Sequence, residues 1–420
     1  MKAGILAIGT ELLMGQTVNT NATYLSRELN ELGIGVYYHY TIGDNPQRIK
    51  TALIELLEQC DVVFTTGGLG PTLDDITKEI IAEALGKEMI LDDRSYEIIK
   101  ERFRLFNRTM PEGNIRQAYF PEGALILDNA QGTAPACIVE IEAKPESDEK
   151  VIIVLPGPPR ELKHIYQTHI LDYLKAKTNT SMFSKYLSVY DYGESAVEAV
   201  LMDLIEHQTN PTIATYAGDG KVLLRITSSG LSAEENQSAV NAVVKEVYSR
   251  IGSYIVSDEG KDIDQVVLEM LRDKGLKISI AESCTGGKII SELIKYAGAS
   301  EVVDSGYITY SNEAKIRDLN VKPETIKIYG AVSHQTCYEM VKGVLERSHA
   351  DIAVGITGVA GPTGGTAEKP VGLVYMGIGI QDEIYTFESK FTGDREMIQK
   401  RAVNKTFKLI YDQLIQLKNV

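Results

Sequence analysis

The sequence predicts an α/β protein with three domains, at residues 1–172, 176–252 and 255–420. Short apolar strands alternate with amphipathic helices in the first domain, and the alternation returns in the last. This alternation predicts a mostly parallel, doubly wound sheet in the first domain and an α/β/α layer with a mixed sheet in the last. The middle segment follows the order β-α-β-β-α, which predicts a small α+β domain.

Hydrophobic periodicity places the individual elements. In the first domain we predict strands at 2–8, 61–66 and 150–155, and helices at 22–32, 46–59 and 75–85, followed by a polar linker at 175–181. In the middle domain we predict strands at 185–192, 212–216 and 222–228, a hairpin turn at 217–220, and helices at 194–207 and 233–250. In the last domain we predict strands at 276–280, 306–310, 351–357 and 371–380, and helices at 262–274, 288–294 and 395–417.

The composition is that of an ordinary globular protein, with 44% hydrophobic and 24% charged residues among 420. No apolar run reaches the roughly 20 residues of a membrane helix, and the first residues begin a strand rather than a signal peptide. The net charge of −15 disfavours non-specific nucleic-acid binding. We therefore expect a cytoplasmic protein with no membrane partner. Four scattered cysteines without a CxxC pair fit a reducing compartment, and they are Cys60, Cys137, Cys284 and Cys337.

The most informative segment is 281–287, which reads Ala-Glu-Ser-Cys-Thr-Gly-Gly between a predicted strand and a predicted helix. Ser283 and Thr285 therefore lie on a strand-to-helix turn. Gly286 and Gly287 let the backbone turn tightly and leave helix N-terminal N–H groups open to an anion. The alternative is that small residues simply fit a tight crossover.

A serine nucleophile needs a base, and histidine is the usual one. His334 and His349 are better explained as surface residues. Lys315 is the stronger candidate, because we expect its segment to leave a strand at Tyr310 and enter a loop that faces the site. A lysine base must be neutral, so its pKa must fall below the usual 10.4 or so, and burial would lower it.

A second glycine-rich stretch, 355–366, follows a predicted strand and exposes N–H groups suited to a phosphate or an oxyanion. Lys369 and Arg395 add positive charge nearby in the sequence.

These motifs together resemble the nicotinamide mononucleotide deamidase family, which forms the C-terminal domain of competence/damage-inducible proteins. The resemblance spans nearly all of 255–420. It implies metal-free hydrolysis of the nucleotide's amide, with Ser283 as nucleophile, Lys315 as base and Tyr310 as helper. The residues that we expect to bind substrate are Thr285, Gly286, Gly287, Thr357, Gly361, Gly364, Gly365 and Arg395.

The first domain has its own cluster of glycines and polar residues at the carboxyl ends of its predicted strands, where open α/β sheets bind ligands. The residues predicted to line a nucleotide pocket are Thr10, Glu11, Asn21, Gly67, Gly68, Gly70, Pro156 and Gly157. Asp44, Asp74 and Asp75 are candidates for holding a divalent cation. The alternative for Asp74 is that it caps a helix beginning at Asp75.

This domain resembles the molybdopterin-binding fold, in the version joined to the deamidase. Some members of that version hydrolyse ADP-ribose with a divalent metal such as Mg, Mn or Co, and Asp44 and Asp75 match the family's acidic positions. Ala136 stands where the family often has glycine. The resemblance implies a metal-dependent ADP-ribose pyrophosphatase.

The middle domain resembles a KH module without the GxxG loop that clamps RNA; the nearest stretch is 218–221. Six basic and nine acidic residues give segment 176–252 a charge of −3. A structural or dimerisation role is thus favoured over RNA binding. The whole chain is expected to be a homodimeric enzyme of pyridine nucleotide salvage. The alternatives are a nucleotide-sensing regulator of DNA uptake and repair, or a molybdenum-cofactor protein.

Overall fold

The computed structural model describes residues 1–105, 107–143, 149–178, 181–218, 220–381 and 383–417. The chain divides into two compact units. One consists of Met1–Met182 and Ser229–Leu231, and the other of Phe183–Ser228 and Ser232–Val420.

The first unit alternates strands with helices. Its strands are β1 (Lys2–Ile8), β2 (Gly35–Ile42), β3 (Val62–Thr66), β4 (Met89–Leu91), β5 (Tyr119–Pro121), β6 (Leu125–Leu127), β7 (Ala136–Ile141) and β8 (Lys150–Leu155). Its α-helices are α1 (Thr10–Leu13), α2 (Thr20–Glu31), α3 (Pro46–Gln59), α4 (Thr77–Leu85), α5 (Asp93–Leu105), α6 (Pro159–Ile165) and α7 (Leu171–Lys177). A 3-10 helix occupies Glu112–Ala118, and a π-helical turn joins α6 to α7.

Six strands form one sheet in the order β2-β1-β3-β8-β7-β6. The first four are mutually parallel, and β7 and β6 add antiparallel edges. The chain leaves β1 towards β2 on one side and leaves β3 towards β8 on the other, so a topological switch point lies between β1 and β3.

Neighbouring residues along each strand enter different cores. Ile5 and Phe64 pack with α2 and α6 on one face, while Leu6 and Val63 pack with α3 and α4 on the other. This two-sided burial explains why the strands are continuously apolar, and it confirms the predicted doubly wound, mostly parallel class.

Two helices of the first unit begin at residues other than those predicted. Asn19 accepts a hydrogen bond from Ala22 N and caps α2, which begins at Thr20. Helix α4 begins at Thr77 rather than Asp75, and its N-cap, Ile76, makes no side-chain cap. The capping role that we considered for Asp74 is therefore wrong.

The second unit contains the middle and last predicted domains. The middle segment has strands β9 (Met182–Tyr190), β10 (Thr212–Gly218), β11 (Lys221–Ser229) and β12 (Ile255–Ser257), with helices α8 (Glu194–Glu206) and α9 (Ala233–Ile251). The sheet order is β10-β11-β9-β12. The predicted hairpin is present, although Asp219 at its turn lies outside the described residues. The predicted linker is partly wrong, because Lys175–Lys177 ends α7; residues 179 and 180 lie outside the described residues.

The last segment has five strands: β13 (Ile278–Glu282), β14 (Val303–Ile308), β15 (Ile352–Gly358), β16 (Leu373–Ile380) and β17 (Glu383–Lys390). Its helices are α10 (Ile263–Asp273), α11 (Lys288–Ile294), α12 (Ala299–Val302), α13 (Asn312–Leu319), α14 (Pro323–Tyr329), α15 (His334–Arg347) and α16 (Arg395–Gln416). The sheet order is β14-β13-β15-β16-β17, with β14, β13 and β15 parallel and the other pairs antiparallel.

This sheet is covered on both faces, as an α/β/α layer requires. Ile280 packs in a core with α10 and α16, whereas the adjacent Ala281 packs in a second core with α15. The mixed sheet predicted from the sequence is confirmed. Within the described ranges, no helix combines the length and apolar character needed to cross a membrane.

Gly67 provides a test of how tightly the first unit's turns are built. Its φ is +104°, and a Cβ there would lie 2.1 Å from the Ile8 carbonyl oxygen. We expect Gly67→Ala to lower the free energy of unfolding by at least about twice as much as Gly86→Ala. Gly86 also has a positive φ, of +65°, but has open space around it, so that variant carries only the backbone penalty of ~1 kcal/mol. Urea unfolding of both variants measures the difference; equal losses would contradict the steric argument.

Candidate functional site

The Ser283 turn begins where β13 ends. Because β13, β14 and β15 run parallel, their carboxyl ends meet at one edge of the sheet. Ser283 N donates to Ile356 O of β15 at 3.0 Å, and Thr309 N, just after β14, donates to Glu282 O at 2.9 Å. The predicted strand-to-helix turn is confirmed, and Ser283 lies at this edge with only 7% of its surface exposed.

The N-terminus of α11 does not present the open N–H groups that the sequence suggested. The carboxylate of Glu282, which is fully buried, accepts hydrogen bonds from Gly287 N at 3.0 Å, Ile289 N at 3.2 Å and Ile290 N at 3.0 Å. A side chain of this chain therefore satisfies the helix dipole. The expected anion site at Gly287 is wrong for that reason.

Lys315 reaches Ser283 from a helix, not from the loop that we expected. It lies on α13, whose N-cap is Ser311. Lys315 Nζ is 2.9 Å from Ser283 Oγ, 2.8 Å from Thr309 O and 3.2 Å from Tyr310 O. Only 1% of the lysine side chain is exposed. The predicted pairing of serine with lysine is thus present in the geometry.

Burial sets the ionisation of two groups at this site. It lowers the pKa of Lys315 to about 8, so that a large fraction of the amine is neutral slightly above neutral pH. It raises the pKa of the Cys284 thiol to about 12, so Cys284 remains protonated. Because the thiolate is the nucleophilic form of cysteine, the buried Cys284 thiol is in an unreactive form.

Tyr310 is placed differently from the expectation that its phenol would lie beside the amine. Its carbonyl contacts Lys315, while its phenol is 62% exposed and accepts a hydrogen bond from Arg395 at 3.2 Å. Arg395, in the first turn of α16, also donates to Gly361 O at 2.6 Å. The guanidinium therefore joins the tyrosine to the second glycine-rich stretch at the mouth of the site.

The remaining residues predicted to bind substrate differ in their exposure to solvent. Thr357 follows the residue that holds Ser283, but it is buried and donates to Ala331 O at 2.8 Å. Thr285 is buried as well, with a hydroxyl that has no partner among the described residues. Gly286, Gly364 and Gly365 are exposed.

Both histidines of this domain are exposed, as expected for surface residues. His334 starts α15, bonds Thr386 at 2.9 Å and contacts Tyr375, while His349 lies in a loop.

The first unit has a cavity of about 410 Å³ at the carboxyl ends of β1, β3 and β8. It contains every predicted pocket residue except Thr10. Its predicted lining residues are Glu11, Asn21, Asp44, Gly67, Gly68, Gly70, Asp74, Asp75, Pro156 and Gly157. Asn21 Nδ2 ties the walls together by donating to Thr66 Oγ1 at 2.9 Å and to Gly157 O at 2.7 Å. The cavity lies at the switch point that the strand order defines.

Threonines hold the acidic residues of this cavity. Asp44 Oδ2 accepts hydrogen bonds from Thr10 N at 3.0 Å and from Thr10 Oγ1 at 2.7 Å. Thr10 therefore orients Asp44 and does not itself line the cavity. Asp75 Oδ2 accepts from Thr72 N at 2.9 Å and Thr72 Oγ1 at 2.5 Å, and the same hydroxyl bonds Asp74. The bonds described for each carboxylate involve one of its two oxygens.

The fit of this cavity to a divalent cation is partial. No group of three or more His, Cys, Asp and Glu residues in the described ranges is arranged to hold a metal ion by itself. The donor chemistry fits Mg²⁺ all the same, since that ion commonly takes one or two carboxylates and completes its shell with substrate phosphates and water.

Three supporting residues of the C-terminal site escaped the sequence analysis: Glu282, Thr309 and Gln399. Gln399 Nε2 donates to Cys284 O at 2.6 Å from α16. Glu282 ends β13 and lies five positions before Gly287, the N-cap of α11, so no local capping pattern marks it. The contribution of Gln399 spans 115 positions and has no local signature.

Three family models match the chain. Residues 4–176 match a model described as a probable molybdopterin binding domain, 184–257 match the KH domain of damage-inducible protein CinA, and 260–414 match the CinA C-terminal domain.

Curated relatives match over nearly the whole length. A competence-damage inducible protein of Acetivibrio thermocellus is 44% identical over 418 residues, covering 100% of both chains. A CinA-like protein of Dictyoglomus turgidum is 46% identical over 399 residues, covering 95% of this chain and 96% of the relative. A crystal structure of a competence/damage inducible protein from Agrobacterium tumefaciens is 40% identical, covers 37% of this chain and 94% of that one, and superposes with a TM-score of 0.36. The chain belongs to the competence/damage-inducible CinA protein family.

Proposed function

We propose that the C-terminal domain hydrolyses the carboxamide of nicotinamide mononucleotide, releasing ammonia and the nicotinate nucleotide, with Ser283 as nucleophile and Lys315 as base. The observation that carries the proposal is the 2.9 Å contact between a buried amine and a buried hydroxyl. The sequence resemblance to the deamidase family supplies the substrate.

The contacts of Lys315 fix the direction of proton transfer. The carbonyl oxygens of Thr309 and Tyr310 can only accept hydrogen bonds, so they hold two N–H groups of the amine. In the neutral amine, the lone pair then faces Ser283 Oγ. This is the geometry that a general base needs in order to take the serine proton.

The reaction then proceeds in two halves. Lys315 takes the proton from Ser283 as Oγ attacks the amide carbon, and the resulting ammonium returns that proton to the nitrogen as the C–N bond breaks and ammonia leaves. Water next attacks the acyl-serine ester while neutral Lys315 removes its proton. The proton then returns to Ser283 Oγ, which restores the enzyme and releases the carboxylic acid, and this acid gives up its proton to water to become the carboxylate.

The negative charge on the tetrahedral intermediate requires hydrogen-bond donors. In the described part of the chain, no other residue accepts a hydrogen bond from the main-chain N–H groups of Cys284 and Thr285, both of which are buried. They directly follow the nucleophile, where acyl-transfer enzymes commonly place an oxyanion hole. We assign the oxyanion to these two groups. Arg395 at the mouth is the cation best placed for the substrate phosphate.

A second activity, cleavage of ADP-ribose, is proposed for the first unit. The observation that favours it is the 410 Å³ cavity that combines glycine turns with the carboxylates of Asp44, Asp74 and Asp75. Those three residues would hold the divalent cation, which would supply charge neutralisation at the pyrophosphate. A purely nucleotide-sensing pocket or a pterin pocket would bind ligand there without cleaving it.

Separate alanine substitutions at Ser283 and Cys284 test which of the two side chains is the nucleophile. Ser283→Ala should abolish ammonia release from nicotinamide mononucleotide, whereas Cys284→Ala should retain substantial activity because its thiol is protonated. The measurement is ammonia production by the purified full chain at millimolar substrate. Iodoacetamide inactivation that disappears in Cys284→Ala, together with an active Ser283→Ala, would reverse the assignment.

The pH dependence reports the base. Neutral Lys315 is the reactive form and its pKa is lowered to about 8, so kcat/KM should rise about tenfold per pH unit below that value and level off above it. Lys315→Ala should lower kcat at least about a hundredfold and remove this step. A flat profile from pH 6 to 10 in the unmodified protein would rule out a lysine base.

Metal removal separates the two activities. The residues assigned to deamidation all lie in the last domain, so deamidation should survive EDTA, whereas ADP-ribose cleavage should be lost. Asp75→Ala should impair only ADP-ribose cleavage. Asp172→Ala, an equivalent change at an exposed residue of α7 that does not line the cavity, should impair neither activity. EDTA-sensitive deamidation would contradict the metal-free mechanism, and ADP-ribose binding without cleavage would leave the first unit as a sensing pocket.

A further inference from the structure

Gln399 contacts the backbone of the turn that follows Ser283. Its Nε2 donates to Cys284 O at 2.6 Å, and its Oε1 accepts from Lys288 Nζ at 2.8 Å. A carbonyl oxygen can only accept and an ammonium can only donate, so the orientation of the Gln399 amide is fixed without ambiguity. The side chain is half-buried on α16, one turn after Arg395.

The Cys284 carbonyl belongs to the same peptide plane as the Thr285 N–H. In a trans peptide the C=O and the following N–H are rigidly antiparallel. A bond that holds the carbonyl towards α16 therefore turns the Thr285 N–H away from α16. That N–H is one of the two groups assigned above to the oxyanion.

We propose that Gln399 is a positioning residue for amide hydrolysis, which aims the Thr285 N–H at the oxyanion by holding the Cys284 carbonyl. The inference rests on the proposed function. Gln399 touches neither Ser283 nor Lys315 in the described contacts, so it leaves the nucleophile and its base unchanged. It acts only when charge develops on the substrate oxygen, and such interactions raise kcat without tightening substrate binding.

The test is Gln399→Glu. This variant keeps the size of the side chain and pairs with Lys288 through a charge, but it presents an oxygen instead of a donor to the Cys284 carbonyl. We expect kcat for deamidation to fall at least about tenfold, below the 10²–10³ that removal of a whole oxyanion donor costs, because the N–H is misdirected and not deleted. KM and the pH step near 8 should not change. A fall in kcat accompanied by a shifted pH step would show that the change acts on Lys315, and would overturn the proposal.

The matched control is Lys288→Met, which removes the other partner of Gln399 and leaves the bond to Cys284. We expect its kcat to stay within about twofold of the unmodified chain. If Lys288→Met is as damaging as Gln399→Glu, the amide acts through Lys288 and the proposed route through the peptide plane is wrong.

A fluorophosphonate separates this inference from the proposed substrate, because it modifies an activated serine whatever the natural substrate is. Intact-mass measurement follows adduct formation at Ser283, which also passes through an oxygen that accepts from the oxyanion donors. Gln399→Glu should slow labelling at least about tenfold relative to the unmodified chain and to Lys288→Met. Labelling of the unmodified chain without any ammonia release would refute the substrate alone. Equal labelling rates in all three proteins would refute the role of Gln399.

Discussion

The buried amine of Lys315 is the group on which the C-terminal site depends. An ammonium withdrawn from water is costly unless an anion lies beside it. The described structure places two carbonyl oxygens and a hydroxyl against this amine, and no carboxylate. Burial thereby lowers the pKa of the amine to about 8, so its neutral form is more accessible than that of a lysine in water. The same burial keeps the Cys284 thiol protonated, so one physical effect sets the ionisation of both groups.

The carboxylate of Glu282 is buried close to Ser283, yet its charge is neutralised locally. A buried carboxylate on the residue next to Ser283, which contacts Lys315, would normally raise the amine's pKa. Here three N–H groups at the start of α11 hold the carboxylate, and its charge is compensated by the helix dipole. The first unit uses its sheet edge differently, because Asp44 and Asp75 are held by threonine hydroxyls at a cavity. Both sites occupy the carboxyl edge of a parallel sheet, but one hides its carboxylate and the other keeps its carboxylates at the ligand surface.

The sequence predicts regular helices and strands well, because hydrophobic periodicity depends only on residues that are close together in the chain. Helix 46–59 and strand 150–155 were predicted with the bounds that the structure shows. Short or exposed elements such as β2 and β17 were missed, because half-buried strands lack a continuous apolar run. The pairing of Ser283 with Lys315 was predicted, yet the helix carrying the lysine was not: Ser311 caps α13 immediately after the strand end. The role of Gln399 depends on α16 returning across the turn, which no local pattern encodes.

The middle module contributes to the same unit through polar contacts rather than through an RNA-binding loop. Tyr190 OH, at the end of β9, accepts a hydrogen bond from Ile263 N at 3.1 Å, where α10 begins, and Tyr190 itself packs in the core of the last domain. Asp191 pairs at 2.5 Å with Lys405 on α16, the helix that carries Arg395 and Gln399. The module therefore contacts the two helices, α10 and α16, that cover one face of the sheet in the last domain. The KH-like domain has a net negative charge and lacks the GxxG loop, and the contacts of Tyr190 and Asp191 show that part of its surface packs against the neighbouring domain.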